Sequence, residues 1–473
     1  MQITSLLFAG FVVIALVIYY LLPHRGQNYW LLLVSYIFYI SWSWQFTLVL
    51  VFLTLVNFIL AYKLKGEEKI SKGLLWTGIF LNILTLAFFK YSGFFINNFI
   101  ALFARLGVAS QAGGINILLP VGLSFYVLGS ISYLIDVSRG QVQPVSDLAD
   151  YALYMAYFPK LLSGPIERVR TFMPKLLQPR QVDNKVFTNS LILILIGVVR
   201  KVVIADTLAA MIPLEAFQTP QAFNTLNVWA WLIAYAFSLY NDFAGYIDII
   251  RGVSGLFGIE LSVNFRTPYF SRNFTEFWNH WHITLSHWLR DYIYYPITRA
   301  LMKRSKKQYN IMTIVIPPVV TMLASGLWHQ ASWSLLLWGG LHGIYQVVER
   351  IPSIWQPIIS PDNQPRWRQI LSGLAVFFLA ILAWVPFRMD LSVSLKFWER
   401  LFVLTNFRFR EWRIIIVSLF AIGLDAILYF SRDEFVFLHW PRPVRAALLA
   451  LAVITIFLVT RADTGLRFIY QGF

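Results

Sequence analysis

Ten predominantly apolar runs, separated by short polar loops, constrain the fold of this 473-residue chain more than any other feature. Only 13% of its residues are charged, against about 25% in an ordinary soluble domain, which argues against a water-soluble globule. Several runs approach the roughly 20 residues that a membrane-spanning helix needs, and the shorter ones suit re-entrant or buried segments. The runs are Ile3–Leu22, Trp30–Ile40, Phe46–Ala61, Leu74–Phe89, Leu191–Ile204, Trp229–Leu239, Ile311–Leu323, Ile370–Trp384, Ile414–Phe430 and Ala446–Thr460.

The pattern predicts an all-α fold, a polytopic membrane helical bundle with about 10–12 membrane segments and broken or re-entrant central helices. We expect residues 1–473 to form a single integral-membrane domain, because polar connections such as Glu349–Gln369 are too short for an independent fold. Gly339 and Gly343 form a small-xxx-small pair that would let another helix approach closely.

The net charge of +16 comes from Lys and Arg in the loops between the apolar runs. Nucleic-acid binding is one interpretation, but cytoplasmic loops of membrane proteins are enriched in Lys and Arg in the same way. We therefore predict a multi-pass protein of the cytoplasmic (inner) membrane, with no nucleic-acid partner and with its basic loops in the cytoplasm. Such a basic rim would also suit a phosphate-bearing donor or an acidic carrier protein. The basic loops are His24–Arg25, Lys63–Lys72, Arg168–Lys185 and Arg299–Lys307.

Five of the seven histidines lie between Phe277 and His342. Ionisable groups at membrane depth are costly and mark functional paths, and histidine exchanges protons near neutral pH. On a helix through Trp278–Tyr292, residues four apart share a face, so three polar side chains would form one stripe directed towards protein or a water-filled cavity. That stripe would consist of His282, Ser286 and Arg290.

Three interpretations of the histidines compete. Metal binding is disfavoured, because the His-x-x-x-His spacing and carboxylate partners of a zinc helix are missing. Structural histidines that hydrogen-bond to neighbouring helices are a second possibility. Acid–base catalysis by one histidine that others position fits the whole cluster best. The chain contains no cysteine, so the simplest chemistry is deprotonation of an incoming hydroxyl that attacks an acyl donor directly. Ser286, Ser325 and Ser332 are candidate nucleophiles, but none lies in a Gly-x-Ser-x-Gly elbow.

A series of short motifs along nearly the whole chain resembles the membrane-bound O-acyltransferase (MBOAT) family, in particular its bacterial branch of alginate O-acetylase-like proteins and teichoic acid D-alanyl transferases. Each motif alone is weak, but their order and density are specific. The motifs are Leu119–Tyr126, Ser132–Val137, Phe158–Lys160, Ser163–Arg168, Arg200–Asp206, Tyr240–Asp248, Asn264–Tyr269 and Trp288–Tyr292.

The resemblance implies two facing polar positions in a central tunnel, with His329 as the catalytic base and His282 as its positioning or polarising partner. His280 stands where the family usually has Arg, and Gln330 stands where it usually has Gly after the catalytic histidine. We expect His342 to lie next to the catalytic histidines and to help position them. Four further residues are candidates for the same positioning role. Those candidates are His280, Ser286, Arg290 and Gln330. Asp242 and Asp248 either contact substrate or form buried pairs with Lys201 or Arg251.

The resemblance also implies a membrane O-acyltransferase, and first of all an O-acetyltransferase. It would pass an acetyl group from a cytoplasmic thioester, acetyl-CoA or an acyl-carrier protein, towards hydroxyls of an exported polysaccharide or cell-wall glycan. No bound cofactor is expected, and the implied partner is an extracytoplasmic acetyltransferase or esterase-like protein.

Three alternatives remain at this point: D-alanyl transfer to teichoic acid, a transporter or channel with a histidine relay, and a non-catalytic scaffold. The transporter is disfavoured because no inverted repeat is visible. The scaffold is disfavoured because both His282 and His329 are present.

Overall fold

The computed structural model describes residues 2–64, 68–106, 117–180, 182–305, 310–354, 360–403, 405, 409 and 411–460. Throughout these ranges the regular secondary structure is helical and no β-strand forms. Each of the ten apolar runs coincides with helix, so the predicted all-α class is confirmed. Parts of three predicted basic loops, at 65–67, 181 and 306–307, lie outside the described residues.

One compact unit contains Met1–Leu191 and Ile250–Ser262. Its helices are α1 (Leu6–Tyr20), α2 (His24–Ile40), α3 (Trp44–Lys63), α4 (Glu68–Arg105), α5 (Leu123–Ser138), α6 (Leu148–Ala156), α7 (Phe158–Leu161) and α8 (Val169–Leu177). Aromatic rings of α1, α2 and α7 meet in its core, where the ring centroids of Phe38 and Phe158 lie 5.8 Å apart. The Tyr19 hydroxyl donates to the carbonyl of Phe257 over 2.7 Å, which ties the later segment into this unit.

The second compact unit contains Ile192–Ile249 and Val263–Phe473. Two helices, α9 (Asn184–Val198) and α11 (Thr225–Leu256), contribute residues to both units. The remaining helices of the second unit are α10 (Thr207–Ala210), α12 (Phe274–His280), α13 (Ile283–Leu289), α14 (Tyr295–Arg304), α15 (Ile311–His329), α16 (Trp333–Arg350), α17 (Arg366–Arg388), α18 (Leu391–Phe402), α19 (Trp412–Ser431) and α20 (Arg442–Thr460). Two π-helical segments, Val199–Asp206 and Arg290–Tyr294, follow α9 and α13.

Six described helices are long and apolar enough to cross a membrane, and two more, α1 and α5, are apolar but shorter. The six lie in α3, α4, α15, α17, α19 and α20. The protein is therefore a multi-pass membrane protein. The larger number of segments expected from the sequence, and the single domain over 1–473, stay predictions.

Helices α15 and α16 pack at backbone distance. A Cβ on Gly339 would lie 2.3 Å from the carbonyl oxygen of Met322, and one on Gly343 would lie 2.9 Å from Cα of Val319. Side chains larger than hydrogen do not fit at these positions, so the predicted small-xxx-small contact is confirmed. This contact matters for function because α15 ends at His329 and α16 carries His342.

Candidate active site

His282 lies in a break between α12 and α13, with the left-handed backbone angles φ 42° and ψ 52°. The continuous helix predicted over Trp278–Tyr292 is therefore wrong, and so is the stripe of His282, Ser286 and Arg290 based on it. The N–H of Ser286 donates to the carbonyl of His282 over 2.9 Å, and its hydroxyl donates to the carbonyl of Trp281 over 3.0 Å. Ser286 thus closes the first turn of α13 instead of sharing a stripe with the imidazole.

The His282 imidazole is fully buried among aromatic rings. Its centroid lies 4.9 Å from the ring of Phe243, edge to face, and 5.9 Å from the indole of Trp328. Phe265 contributes a third ring at 6.4 Å. These neighbours come from three separate parts of the second unit, α11, the segment before α12, and α15.

His329 is the last residue of α15 and is also buried. Its imidazole lies 4.9 Å from Trp328, 5.1 Å from Phe387 and 5.4 Å from Trp338, all in edge-to-face geometry. The indole of Trp328 therefore contacts both predicted histidines. Two imidazoles that are far apart in sequence are brought to one aromatic ring.

His342 is fully buried on α16. Within the described part of the chain, neither of its ring nitrogens has a hydrogen-bond partner. Its imidazole is enclosed by indoles, with Trp278 at 5.0 Å and Trp338 at 5.1 Å. Because Trp338 also contacts His329, His342 adjoins the site through this one ring.

The other predicted supporting residues lie outside this buried cluster. His280 is half-buried, and its Nδ1 lies 3.3 Å from the Ser271 hydroxyl. Burial lowers the pKa of the His280 imidazole, and the nearby Glu276 carboxylate opposes this shift. Gln330 is exposed at the end of α15, and the Arg290 guanidinium pairs with Asp291 over 3.0 Å.

Asp242 is held in an ion pair. The Lys201 ammonium donates to its Oδ1 and to Oδ1 of Asp206, each over 2.7 Å. The pairing of Asp242 with Lys201 that the sequence suggested is therefore present in the structure. Among the described residues, no group of three or more His, Asp or Glu side chains is placed to hold a metal ion.

Sequence reasoning missed the aromatic residues that surround the imidazoles. Trp338 and Phe387 contact His329 but carry no sequence signal beyond an aromatic-rich stretch. It also missed Asn264, whose side-chain oxygen accepts from the backbone N–H of Thr284 over 2.9 Å. Asn264 is the first residue of the Asn264–Tyr269 motif, which was the available signal.

Comparison with known proteins identifies the family. Residues 31–394 match MBOAT, the membrane-bound O-acyltransferase family. The chain belongs to this family. The match covers His282, His329 and His342. The enzyme is thus a multi-pass membrane O-acyltransferase.

Three bacterial relatives illustrate the similarity, two of them over more than four-fifths of the enzyme. The "Probable alginate O-acetylase" of Pseudomonas aeruginosa is 32% identical over 85% of this chain and 74% of its own length. The peptidoglycan O-acetyltransferase of Helicobacter pylori is 30% identical over 83% of this chain and 78% of its own. The teichoic acid D-alanyltransferase of Streptococcus thermophilus is 30% identical, but over 48% of this chain and 56% of its own.

Proposed function

We propose that this enzyme is an O-acetyltransferase in which His329 is the general base and His282 its polarising partner. One observation carries the proposal: both imidazoles are buried and both contact the indole of Trp328. Burial excludes bulk water, which would otherwise compete with the acceptor hydroxyl for the acyl group.

In the proposed reaction a single histidine, His329, accepts a proton from the acceptor hydroxyl and later donates it to the leaving thiolate. His329 takes the proton of an acceptor hydroxyl as the oxygen attacks the thioester carbonyl carbon. The tetrahedral intermediate then collapses, the C–S bond breaks, and the proton passes from His329 to the departing thiolate. General base catalysis of this kind supplies about 10²–10⁴-fold, and holding both reactants in one site supplies more.

The donor is proposed to be acetyl-CoA or an acetyl-carrier thioester that enters from the cytoplasm. The acceptor is a hydroxyl of an exported polysaccharide or cell-wall glycan, reached with the help of an extracytoplasmic acetyltransferase or esterase-like partner. The enzyme would then lie in the bacterial cytoplasmic membrane. Support comes from the names of the relatives that match over more than four-fifths of the chain, which are O-acetylating proteins.

D-Alanyl transfer from a carrier protein is the second candidate, because the relatives also include teichoic acid D-alanyltransferases. These matches cover 48% and 55% of the chain, whereas those to the O-acetylating proteins cover 83% or more, which favours acetyl transfer. Purified enzyme offered radiolabelled acetyl-CoA and, separately, a D-alanyl-charged carrier protein would distinguish the two donors.

The test of the base is His329→Ala, assayed by acetyl transfer in inside-out membrane vesicles that receive radiolabelled acetyl-CoA. We expect activity to fall by about 10²–10⁴-fold while the amount of inserted protein is unchanged. His282→Ala should also lose most activity. Substantial transfer by the His329→Ala enzyme would refute the assignment.

Two other histidines provide matched controls. His439 is exposed and pairs with Asp433 over 3.1 Å, so His439→Ala should keep wild-type activity. His280 is half-buried and contacts Ser271 outside the buried cluster, so His280→Ala should reduce activity far less than His329→Ala does. Equal losses in all four variants would indicate a general folding defect and would remove the support for His329 as base.

A further inference from the structure

Three described residues with side chains adopt left-handed backbone conformations in the second unit: Thr267 with φ 45°, His282 with φ 42° and Arg432, at the C-terminal end of α19, with φ 54°. This region is unfavourable for any residue that has a Cβ, and most of all for a β-branched one such as Thr. Strain of this kind persists only where the surroundings enforce it, and it concentrates at functional sites. The contacts that enforce it at His282 are visible.

Two backbone hydrogen bonds, one on each side of Trp281 and His282, join this part of the chain to residues 264–266; we call them the backbone bridge. The N–H of Arg266 donates to the carbonyl of His280 over 3.0 Å, and the N–H of Ile283 donates to the carbonyl of Asn264 over 2.9 Å. The residues on both sides of His282 are thus tied to one segment, 264–266. The chain at His282 must make its sharp turn between these two fixed points.

The side chain of Asn264 completes the bridge. His282 occupies the N-cap position of α13 but makes no capping hydrogen bond with its own side chain. Instead, Oδ1 of Asn264 accepts from the backbone N–H of Thr284 over 2.9 Å and from the Thr284 hydroxyl over 2.8 Å. Asn264 is fully buried and therefore caps α13 from a different part of the chain.

We propose that Asn264 is a positioning residue for catalysis: it holds the first turn of α13 and so fixes the backbone of His282 in the conformation that directs the imidazole towards Trp328. The proposal rests on the function proposed above for His282. Its physical basis is that a catalytic group must be held close to its productive geometry by neighbours that are themselves fixed.

The test compares Asn264→Ala with Asn264→Asp. The Ala variant loses the acceptor for both Thr284 donors, and we expect kcat to fall about 10- to 100-fold with the KM for acetyl-CoA within about twofold, because a small misplacement of a reacting group costs this much. The Asp variant keeps an oxygen at the same position and should recover most of the lost kcat. Thr284→Val removes only the hydroxyl donor, so it should give a smaller loss than Asn264→Ala.

Asn82→Ala is the matched control. Asn82 is also fully buried, and its side-chain amide donates to Oδ1 of Asn57 over 2.7 Å and to the carbonyl of Gly78 over 2.8 Å. This variant should keep the wild-type kcat per folded molecule. An Asn264→Ala enzyme with unchanged kcat, or an Asn264→Asp enzyme as impaired as the Ala variant, would overturn the proposal.

A double-mutant cycle separates positioning from general stability. If Asn264 acts through His282, the double variant Asn264→Ala/His282→Ala should be no slower than His282→Ala alone. Additive losses would assign Asn264 a role that does not depend on His282 and would overturn the proposal. If His282→Ala itself keeps full activity, the function proposed for His282 fails, whereas loss in His282→Ala together with full activity in Asn264→Ala rejects only the positioning role.

Discussion

At His282 the backbone is left-handed, a conformation that any side chain with a Cβ destabilises. The proposed catalytic role nevertheless requires the imidazole at this position. Substitution can separate the effect of the imidazole on activity from the effect of the Cβ on stability. We expect His282→Gly and His282→Ala both to be inactive, but the Gly variant to be more stable by about 1 kcal/mol, since glycine adopts this conformation without strain. Thermal denaturation of the purified variants in detergent measures the difference.

Leu285 provides the control for that comparison. It is buried within α13, where the backbone is helical. There the Gly variant should be less stable than the Ala variant by about 1 kcal/mol, the ordinary helix penalty. The same order at both positions would show that His282 carries no left-handed strain.

The burial and proximity of the two candidate histidines agree with the sequence, but their backbone conformations could not be predicted from it. Motif resemblance selected His282 and His329, and both lie in one buried cluster. The spacing of His282, Ser286 and Arg290 suggested a helix, which was wrong. At the break, the Asn264 carbonyl accepts from the N–H of Ile283 and the Arg266 N–H donates to the carbonyl of His280. The apolar and polar spacing within Trp278–Tyr292 carries no signal of these contacts with an earlier segment.

At the scale of elements, the packing of α15 against α16 sets the position of His329. Gly339→Ala would place a methyl group 2.3 Å from the Met322 carbonyl oxygen, so the two helices must separate. We expect a loss of about 1–3 kcal/mol in stability, typical of overpacking, together with reduced acyl transfer. Denaturation and vesicle assays on the same preparation measure both effects.

Gly340 is the adjacent control. No atom lies within 4 Å of a Cβ built there, so Gly340→Ala should be neutral or slightly stabilising through helix propensity. If Gly339→Ala behaves like Gly340→Ala, the helices do not pack as closely as described. Both variants change Gly to Ala at adjacent positions of α16, so a difference between them reflects only the contact that each position makes with α15.

The helices themselves were the most predictable level of structure. Every apolar run coincides with helix, because a lipid environment obliges backbone groups to bond within the segment. The close contact at Gly339 and Gly343 was also predictable, because only small residues permit it. The sequence did not predict the two π-helical segments, Val199–Asp206 and Arg290–Tyr294. A π-helix differs from an α-helix by one residue in its hydrogen-bond spacing, and over so short a segment this difference does not change the spacing of apolar residues recognisably.

At the scale of the whole molecule, a buried ionic cluster joins distant segments of the second unit. The Arg200 guanidinium donates to Oδ1 of Asp425 over 2.8 Å and to Oδ1 of Asn241 over 2.9 Å. Asp425 lies on α19, beyond the residues that match the family. Asp425→Ala would leave a buried cation without this partner, and we expect it to cost about 3–5 kcal/mol.

Asp433 gives the reference for an exposed ion pair. It pairs with the exposed His439, so Asp433→Ala should cost less than about 1 kcal/mol. The double change Arg200→Met/Asp425→Leu should be milder than Asp425→Ala, because it removes both charges together. A double variant as unstable as the single one would mean that packing, rather than charge, dominates at this cluster.

The basic loops predict the orientation of the enzyme in the membrane. The prediction is directly measurable, because the chain has no cysteine and any introduced thiol is unique. Arg170 and Lys303 are exposed residues in predicted cytoplasmic regions. Single variants Arg170→Cys and Lys303→Cys should resist a membrane-impermeant maleimide in intact cells and react after permeabilisation. Labelling of either in intact cells would contradict the orientation and, with it, the cytoplasmic entry proposed for the acyl donor.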